Sequence, residues 1–197
     1  MLTRFVGLCF FLFLLSTQTL RAQNESLPAL GPAPDFQLTD QNGNSFSSHT
    51  LKGHVWIADF IFTRCLGVCP IMSAQMARLQ RHLESEPVKL VSFSVDPDHD
   101  TPAILQDYAA KYEAGDHWVF LTGERQTIWE IASSNFHLGV GQATPEEMKQ
   151  GAQPVLHSNR FVLVDQTGQI RGYFEGTNPD TIDHLAKLAK QLDAASS

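Results

Sequence analysis

Cysteine is scarce in this sequence: three in 197 residues, at positions 9, 65 and 69. That is too few for a disulfide-stapled scaffold, so the fold has to rest on an apolar core. Basic blocks are absent as well. Lysine and arginine number 14 against 21 aspartates and glutamates, a formal charge of −7, and without clustered cations no nucleic-acid partner is expected. The longest apolar run, residues 5–15, covers eleven positions, short of the roughly 18–20 that a membrane-spanning helix needs. There is no internal repeat and no low-complexity stretch. What remains is 43% hydrophobic and 18% charged, the composition of one ordinary globular domain.

The amino terminus reads as a removable leader. Arg4 precedes the apolar run, Ser16, Thr17, Gln18 and Thr19 follow it, and Ala22 offers a small residue for cleavage, the pattern of a secretory signal peptide over residues 1–22. Cleavage there would take Cys9, Arg4 and Arg21 and no acid, leaving 12 basic residues against 21 acidic and a charge of −9. The mature chain then carries only Cys65 and Cys69, in an oxidising, extracytoplasmic space.

Residues 23–34, with Pro28, Pro32 and Pro34, read as an extended lead-in, and residues 35–193 as one domain. Residues 36–38 and 45–46 flank Asp40-Gln41-Asn42-Gly43-Asn44, a hairpin turn signal. This turn looks like a calcium loop, but its glycine stands fourth and no closing glutamate follows, whereas an EF-hand needs glycine sixth and glutamate twelfth. Residues 54–62, apolar and aromatic, form a buried central strand. Pro70 opens a helix with Met72, Met76, Leu79 and Leu83 along one face. A second apolar strand, 88–95, stops at Asp96-Pro97, and Thr101 caps a helix with Pro102 in its first turn. A strand at 118–121 and a helical pattern at 124–136 (Ile128, Ile131, Ala132, Phe136) come next. Residues 139–153 read as irregular, with one turn begun by Thr144-Pro145. Strands at 161–164 and 170–174 are joined by Asp165-Gln166-Thr167-Gly168, and Asn178-Pro179 starts a last helix with Ile182, Leu185, Ala189 and Leu192 inward. The order is a hairpin, then β-α-β-α-β-α, then β-β-α. It predicts an α/β fold with an N-terminal β-hairpin and a central mixed sheet flanked by helices.

The chemistry gathers where the first central strand ends. In Phe62-Thr63-Arg64-Cys65-Leu66-Gly67-Val68-Cys69-Pro70 a short loop carries both thiols to the start of a helix. Unpaired N–H groups and the helix dipole there favour thiolate over thiol. Thiolate attacks disulfides and also binds metals, so two chemistries stay open. Three residues separate the cysteines, where a thioredoxin-type redox pair has two. The longer loop still permits a disulfide and also lets both sulfurs face one ion. Thiolates select soft ions, copper(I) above all and zinc as well, and a third ligand has to come from elsewhere. A purely structural bridge across so small a loop would stabilise little.

Several motifs in order carry a family likeness. Cys65-x-x-x-Cys69-Pro70 after Phe62-Thr63, then Ser94-Val95-Asp96-Pro97-x-x-Asp100-Thr101-Pro102, then His157-Ser158 before a strand and Asp165-x-x-Gly168, closely resemble the Sco/SenC family over most of residues 30–192. The resemblance implies a thioredoxin-like fold and the work of a copper chaperone that helps to build the binuclear copper centre of cytochrome c oxidase. It implies one copper ion per chain, with Cys65, Cys69 and His157 matching the ligands. The partners it implies are an oxidase copper-centre subunit or similar acceptor and a thiol–disulfide reductant. A monomer in the bacterial periplasm is the expectation for the mature chain, soluble once the leader is cleaved and weakly membrane-anchored where it is not.

Two features differ from the family pattern. The apolar run is too short for the membrane anchor that many members keep, and Asp59, six residues before Cys65, resembles the buried acid of thioredoxins. A carboxylate buried near a thiol pair has a raised pKa and can accept a proton during disulfide exchange. The alternative reading is therefore a thiol–disulfide oxidoreductase acting on partner cysteines, with Cys65 and Cys69 as redox pair and Cys65 as the more exposed, attacking thiol. A peroxidase fits less well, because Thr63 stands two residues before Cys65 where the peroxidase run needs three. His99, among acids, and His137, at a helix end, are the rivals of His157. Met72 and Met76 belong to the core stripe rather than to a copper site. Asp96 and Asp100 are expected to end a strand and to start a helix.

Overall fold

A computed structural model describes residues 27–195. The leader assigned to residues 1–22 lies outside them. The chain order is β1 (Gln37–Asp40), β2 (Ser45–Ser47), β3 (Trp56–Ile61), α1 (Cys69–His82), β4 (Lys89–Ser94), α2 (Pro102–Lys111), β5 (Trp118–Thr122) and α3 (Arg125–Glu130), continued by β6 (Val140–Gln142), α4 (Pro145–Lys149), β7 (Val155–His157), β8 (Arg160–Val164), β9 (Ile170–Glu175) and α5 (Pro179–Ala194). Seven strands form one sheet in the order β2-β1-β5-β4-β3-β8-β9. The central β3, β4 and β5 run parallel, while β1 and β8 pair antiparallel at either side. This is the mixed α/β sheet that the pattern of the sequence predicts.

Strand β3 is buried along its whole length, which is why it reads as an unbroken apolar run rather than an alternating one. Its side chains still alternate between faces. Trp56 and Phe60 pack edge-on against Phe136, and Phe60 stacks on Phe93 at 5.0 Å. Asp59 therefore points to the opposite face. There Ser92 accepts from Trp118, Trp118 stacks on Phe120, Phe120 meets Tyr108 of α2 edge-on, and Tyr108 hydrogen-bonds to Ser73 of α1 at 2.9 Å. Two consecutive crossovers in one direction along the sheet place α1 and α2 on the same face. Met72, Met76 and Leu79 are fully buried beneath α1, as their spacing predicts.

Two details depart from the sequence reading. The helix expected through residue 136 narrows to α3 and then widens into a π-type turn, Ile131–Asn135, closed by Phe136 N–H donating to Ile131 O at 3.0 Å. The turn lets Ile128, Ile131, Ala132 and Phe136 all be buried. The second departure matters more. Residues 139–153, read as irregular, open a hairpin of their own, in which β6 and β7 pair antiparallel outside the main sheet. Each strand has three residues and includes polar positions, too short for an alternation signal. The turn begun by Thr144-Pro145 is present as α4, closed by a Thr144–Glu147 capping box. The Asp40 turn is satisfied by its own backbone, since Asp40 Oδ1 accepts from the N–H groups of Asn42 and Asn44.

Candidate metal centre

Past β3 the chain turns at Phe62, where Cys65 N–H donates to Phe62 O at 3.2 Å. The loop then delivers Cys69 as the first residue of α1, with Val68 at the N-cap and Pro70 in the first turn. A proline is tolerated there because the first N–H groups of a helix have no intrahelical acceptor. Both thiols are free; Cys65 is 5% exposed and Cys69 not at all. The third member arrives from the β6–β7 hairpin. His157 ends β7, opposite Val140 of β6, and its Nε2 lies 2.9 Å from Cys69 Sγ. One ligand atom each from Cys65, Cys69 and His157 fall within 4.8 Å of one another. The structure thus brings together the three residues that the resemblance singled out, although His157 lies 88 positions from Cys69.

The ring of His157 is held on two sides. Phe62 meets it edge-on at 5.6 Å, and Nδ1 lies 2.9 Å from the carbonyl oxygen of Ser158. A carbonyl can only accept, so Nδ1 carries a proton and Nε2 faces the sulfurs: protonated, it donates to a thiolate, and unprotonated, it offers its lone pair to a metal. That is the orientation a metal-ligating histidine requires. The hairpin also touches the cysteine loop directly, with Leu66 N–H donating to Gln153 Oε1 at 3.3 Å.

The helix start does not act on both sulfurs alike, which corrects the expectation that both favour thiolate. For Cys65, burial works against the thiolate, but hydrogen bonds from the His157 ring, the Cys69 thiol and the N–H groups of Cys69 and Gly67 outweigh it and hold the thiol down at about 6. For Cys69, burial dominates, and Cys65 and the Asp59 carboxyl push the thiol up further. The pair therefore rests as one thiolate and one protonated thiol at neutral pH.

Beneath them Asp59 is fully buried. Ser92 Oγ donates to its Oδ1 at 2.6 Å and itself accepts from Trp118 Nε1 at 2.9 Å, while Oδ2 has no hydrogen-bond partner among the described residues. Burial raises this carboxyl to about 7, against the lowering effects of Ser92 and of His157. The acid is hydrogen-bonded into the sheet and its carboxyl is raised, as the sequence reading expects of a carboxylate buried near a thiol pair.

The histidine rivals fall elsewhere. His137 is exposed in a left-handed backbone conformation after the π-type turn. His99 sits against Asp100 at 2.9 Å, with its side chain 41% exposed. Asp96 and Asp100 do end β4 and precede α2, as expected, but their side chains reach back to the cysteine loop. Asp100 Oδ2 accepts from Thr63 N–H at 3.0 Å and from Ser94 Oγ at 2.6 Å, and Oδ1 accepts from Thr63 Oγ1 at 2.5 Å. Asp96 Oδ2 accepts from Arg64 Nε at 2.6 Å. Sequence reasoning missed Thr63, Arg64, Gln153 and Ser158 as parts of the site. Thr63 and Ser158 stood in the family motifs without a role, and the signal for an anchor was the pair of aspartates four apart after an apolar strand.

Two thiols past the C-terminal end of the central strand β3 meet one imidazole from the β6–β7 hairpin, a donor set whose chemistry suits a soft metal ion or a disulfide. The SCO1/SenC family profile matches residues 26–193, and the chain belongs to that family. It is 38% identical over 159 residues to the SCO1 protein homolog of Bacillus subtilis (strain 168), which covers 79% of each chain. Its fold is similar to that of BsSco, described as a member of the Sco family of cytochrome c oxidase assembly proteins with a disulfide switch (34% identity, TM-score 0.72, covering 85% of this chain and 97% of that one). It is also similar to Bradyrhizobium japonicum ScoI, solved with copper bound (26% identity, TM-score 0.68, covering 82% and 99%). No helix among the described residues is long and apolar enough to cross a membrane.

Proposed function

We propose that this chain binds one copper ion and delivers it to a copper centre of a respiratory oxidase. Cys65, Cys69 and His157 hold the ion. The observation that carries this reading is the meeting of two sulfurs and one correctly oriented imidazole nitrogen within 4.8 Å. Two thiolates and an imidazole form a soft donor set suited to copper(I). Loading requires Cys69 to give up its proton, because only a thiolate ligates.

Binding is gated by the thiols. Oxidation of the pair to a Cys65–Cys69 disulfide, with two electrons passing to a partner disulfide that becomes a dithiol, leaves no thiolate to hold the ion. A dithiol reductant reverses the step and is itself oxidised. The extracytoplasmic placement, with residues 1–22 as a cleaved leader and 35–193 as the working domain, belongs to the same proposal. It is supported by the charged residue, apolar run and small residue of the amino terminus.

A second reading, thiol–disulfide exchange with partner cysteines, is favoured by the lowered Cys65 thiol beside a protonated Cys69, the pairing of nucleophile and resolving thiol that exchange uses. Anaerobic copper titration of the reduced wild type and of His157→Ala, run beside a disulfide-exchange assay, separates the two. Tight one-to-one binding that collapses in His157→Ala while exchange persists is the expected result. Wild type that takes up no copper, or binding indifferent to Cys65→Ala, would end the copper reading.

A further inference from the structure

The Asp96–Asp100 motif is a sequence feature to which copper ligation gives no task. It is also one of two places among the described residues where three potential metal ligands cluster, since Asp96, His99 and Asp100 each bring an atom within 4.8 Å of the others. Protein donors already occupy it. Asp100, fully buried, takes Thr63 N–H, Thr63 O–H and Ser94 O–H, and its Oδ1 lies 2.9 Å from His99 Nδ1. Asp96, 2% exposed, takes the Arg64 guanidinium.

The placement of these donors is what counts. Thr63 and Arg64 are the two residues immediately before Cys65, and each is tied to one of the two acids. On the other side of Cys65 the loop is loosely held. Leu66 is 88% exposed, with a 3.3 Å contact to Gln153. Cys65 thus hangs from a turn whose fixed end is a buried carboxylate accepting charge-assisted hydrogen bonds, the strongest kind available to a loop. Asp100 also adjoins Thr101, the N-cap of α2, so the anchor is itself seated on a helix and a central strand rather than on another loop.

We infer that Asp100, acting through Thr63, is a positioning residue that holds Cys65 in the dithiol arrangement facing Cys69 and His157. The inference rests on the copper reading for its main readout. A ligand set held in place before the ion arrives loses less freedom on binding, so releasing the turn weakens capture without removing a ligand. A merely structural role would lower thermal stability and leave the affinity of the folded protein unchanged.

The test uses three variants of the full, reduced chain: Thr63→Val removes the hydroxyl donor and keeps shape and backbone N–H, Thr63→Ser keeps the donor, and Asp100→Asn perturbs the acceptor. Copper(I) affinity is measured anaerobically by competition with a chelator, beside thermal unfolding. The expected result is about tenfold weaker binding by Thr63→Val in a folded protein, with Thr63→Ser like the wild type. Thr63→Val binding as tightly as the wild type overturns the inference, whatever happens to Asp100→Asn. If the wild type itself binds no copper, the functional reading fails alone, and the anchor is judged without metal. Equilibration with glutathione, two thiols becoming one glutathione disulfide for each Cys65–Cys69 bond reduced, then shows Thr63→Val shifted about tenfold toward the disulfide, near 30 mV for a two-electron couple. An unchanged ratio overturns it.

Discussion

Asp59→Asn perturbs the one buried acid beneath the thiols and nothing else in shape. In the native protein burial holds the carboxyl at about 7, whereas its ordinary value is 3.8. Between those values the folded protein keeps a proton that the unfolded chain has released. The native state then binds more protons than the unfolded one, and stability falls as pH rises through the window, levelling off above about 8. The gap corresponds to roughly 4 kcal/mol in all, of which about 2.5 kcal/mol is lost between pH 5 and pH 8. Asparagine keeps the acceptor for Ser92 and cannot ionise, so it removes this loss. Cys65 works in the opposite direction, because its native thiol is lowered to about 6 and adds stability as pH rises from 6 toward 9. That contribution is common to both proteins. The measurement is therefore the difference between variant and wild type, from urea unfolding of the reduced proteins at closely spaced pH values. The variant's advantage should grow by about 2.5 kcal/mol from pH 5 to pH 8. Parallel curves over that range would refute the claim that burial of Asp59 outweighs its hydrogen bond from Ser92 and the effect of His157.

Thiolate absorbance of the reduced protein should titrate one cysteine with a midpoint near 6, assigned to Cys65 by its loss in Cys65→Ala, and His157→Ala should move that midpoint upward; a wild-type midpoint at the ordinary thiol value of 9.0 contradicts the site electrostatics. Met72→Ala should cost about 2–5 kcal/mol in urea unfolding, because the side chain is fully buried under α1, and a loss below about 1 kcal/mol would mean that the core collapses around the gap.

The central sheet was legible because its cause is local. An unbroken apolar strand such as 56–61, a proline at a helix start, and methionines one helical turn apart each declare an element within a dozen residues. The β6–β7 hairpin was not legible. Its strands are three residues long, and what holds them is pairing with each other across α4, which periodicity does not register. Asp96 and Asp100 were visible as residues but not as an anchor, since their partners lie 32 and 37 positions back along the chain.

From the sequence alone came the pair of cysteines at a strand-to-helix junction, the three-residue spacing that leaves room for an ion, and the family likeness that nominated His157. Local chemistry suffices for these, because a helix start and a soft donor are properties of a few neighbouring residues. Tertiary structure decided the rest. It brought the imidazole to 2.9 Å from Cys69 and turned its Nε2 inward. It also made one thiol acidic and the other reluctant, and set the buried carboxylate of Asp100 behind the cysteine turn. Proximity between distant residues and the dielectric around a charge exist only once the core has closed.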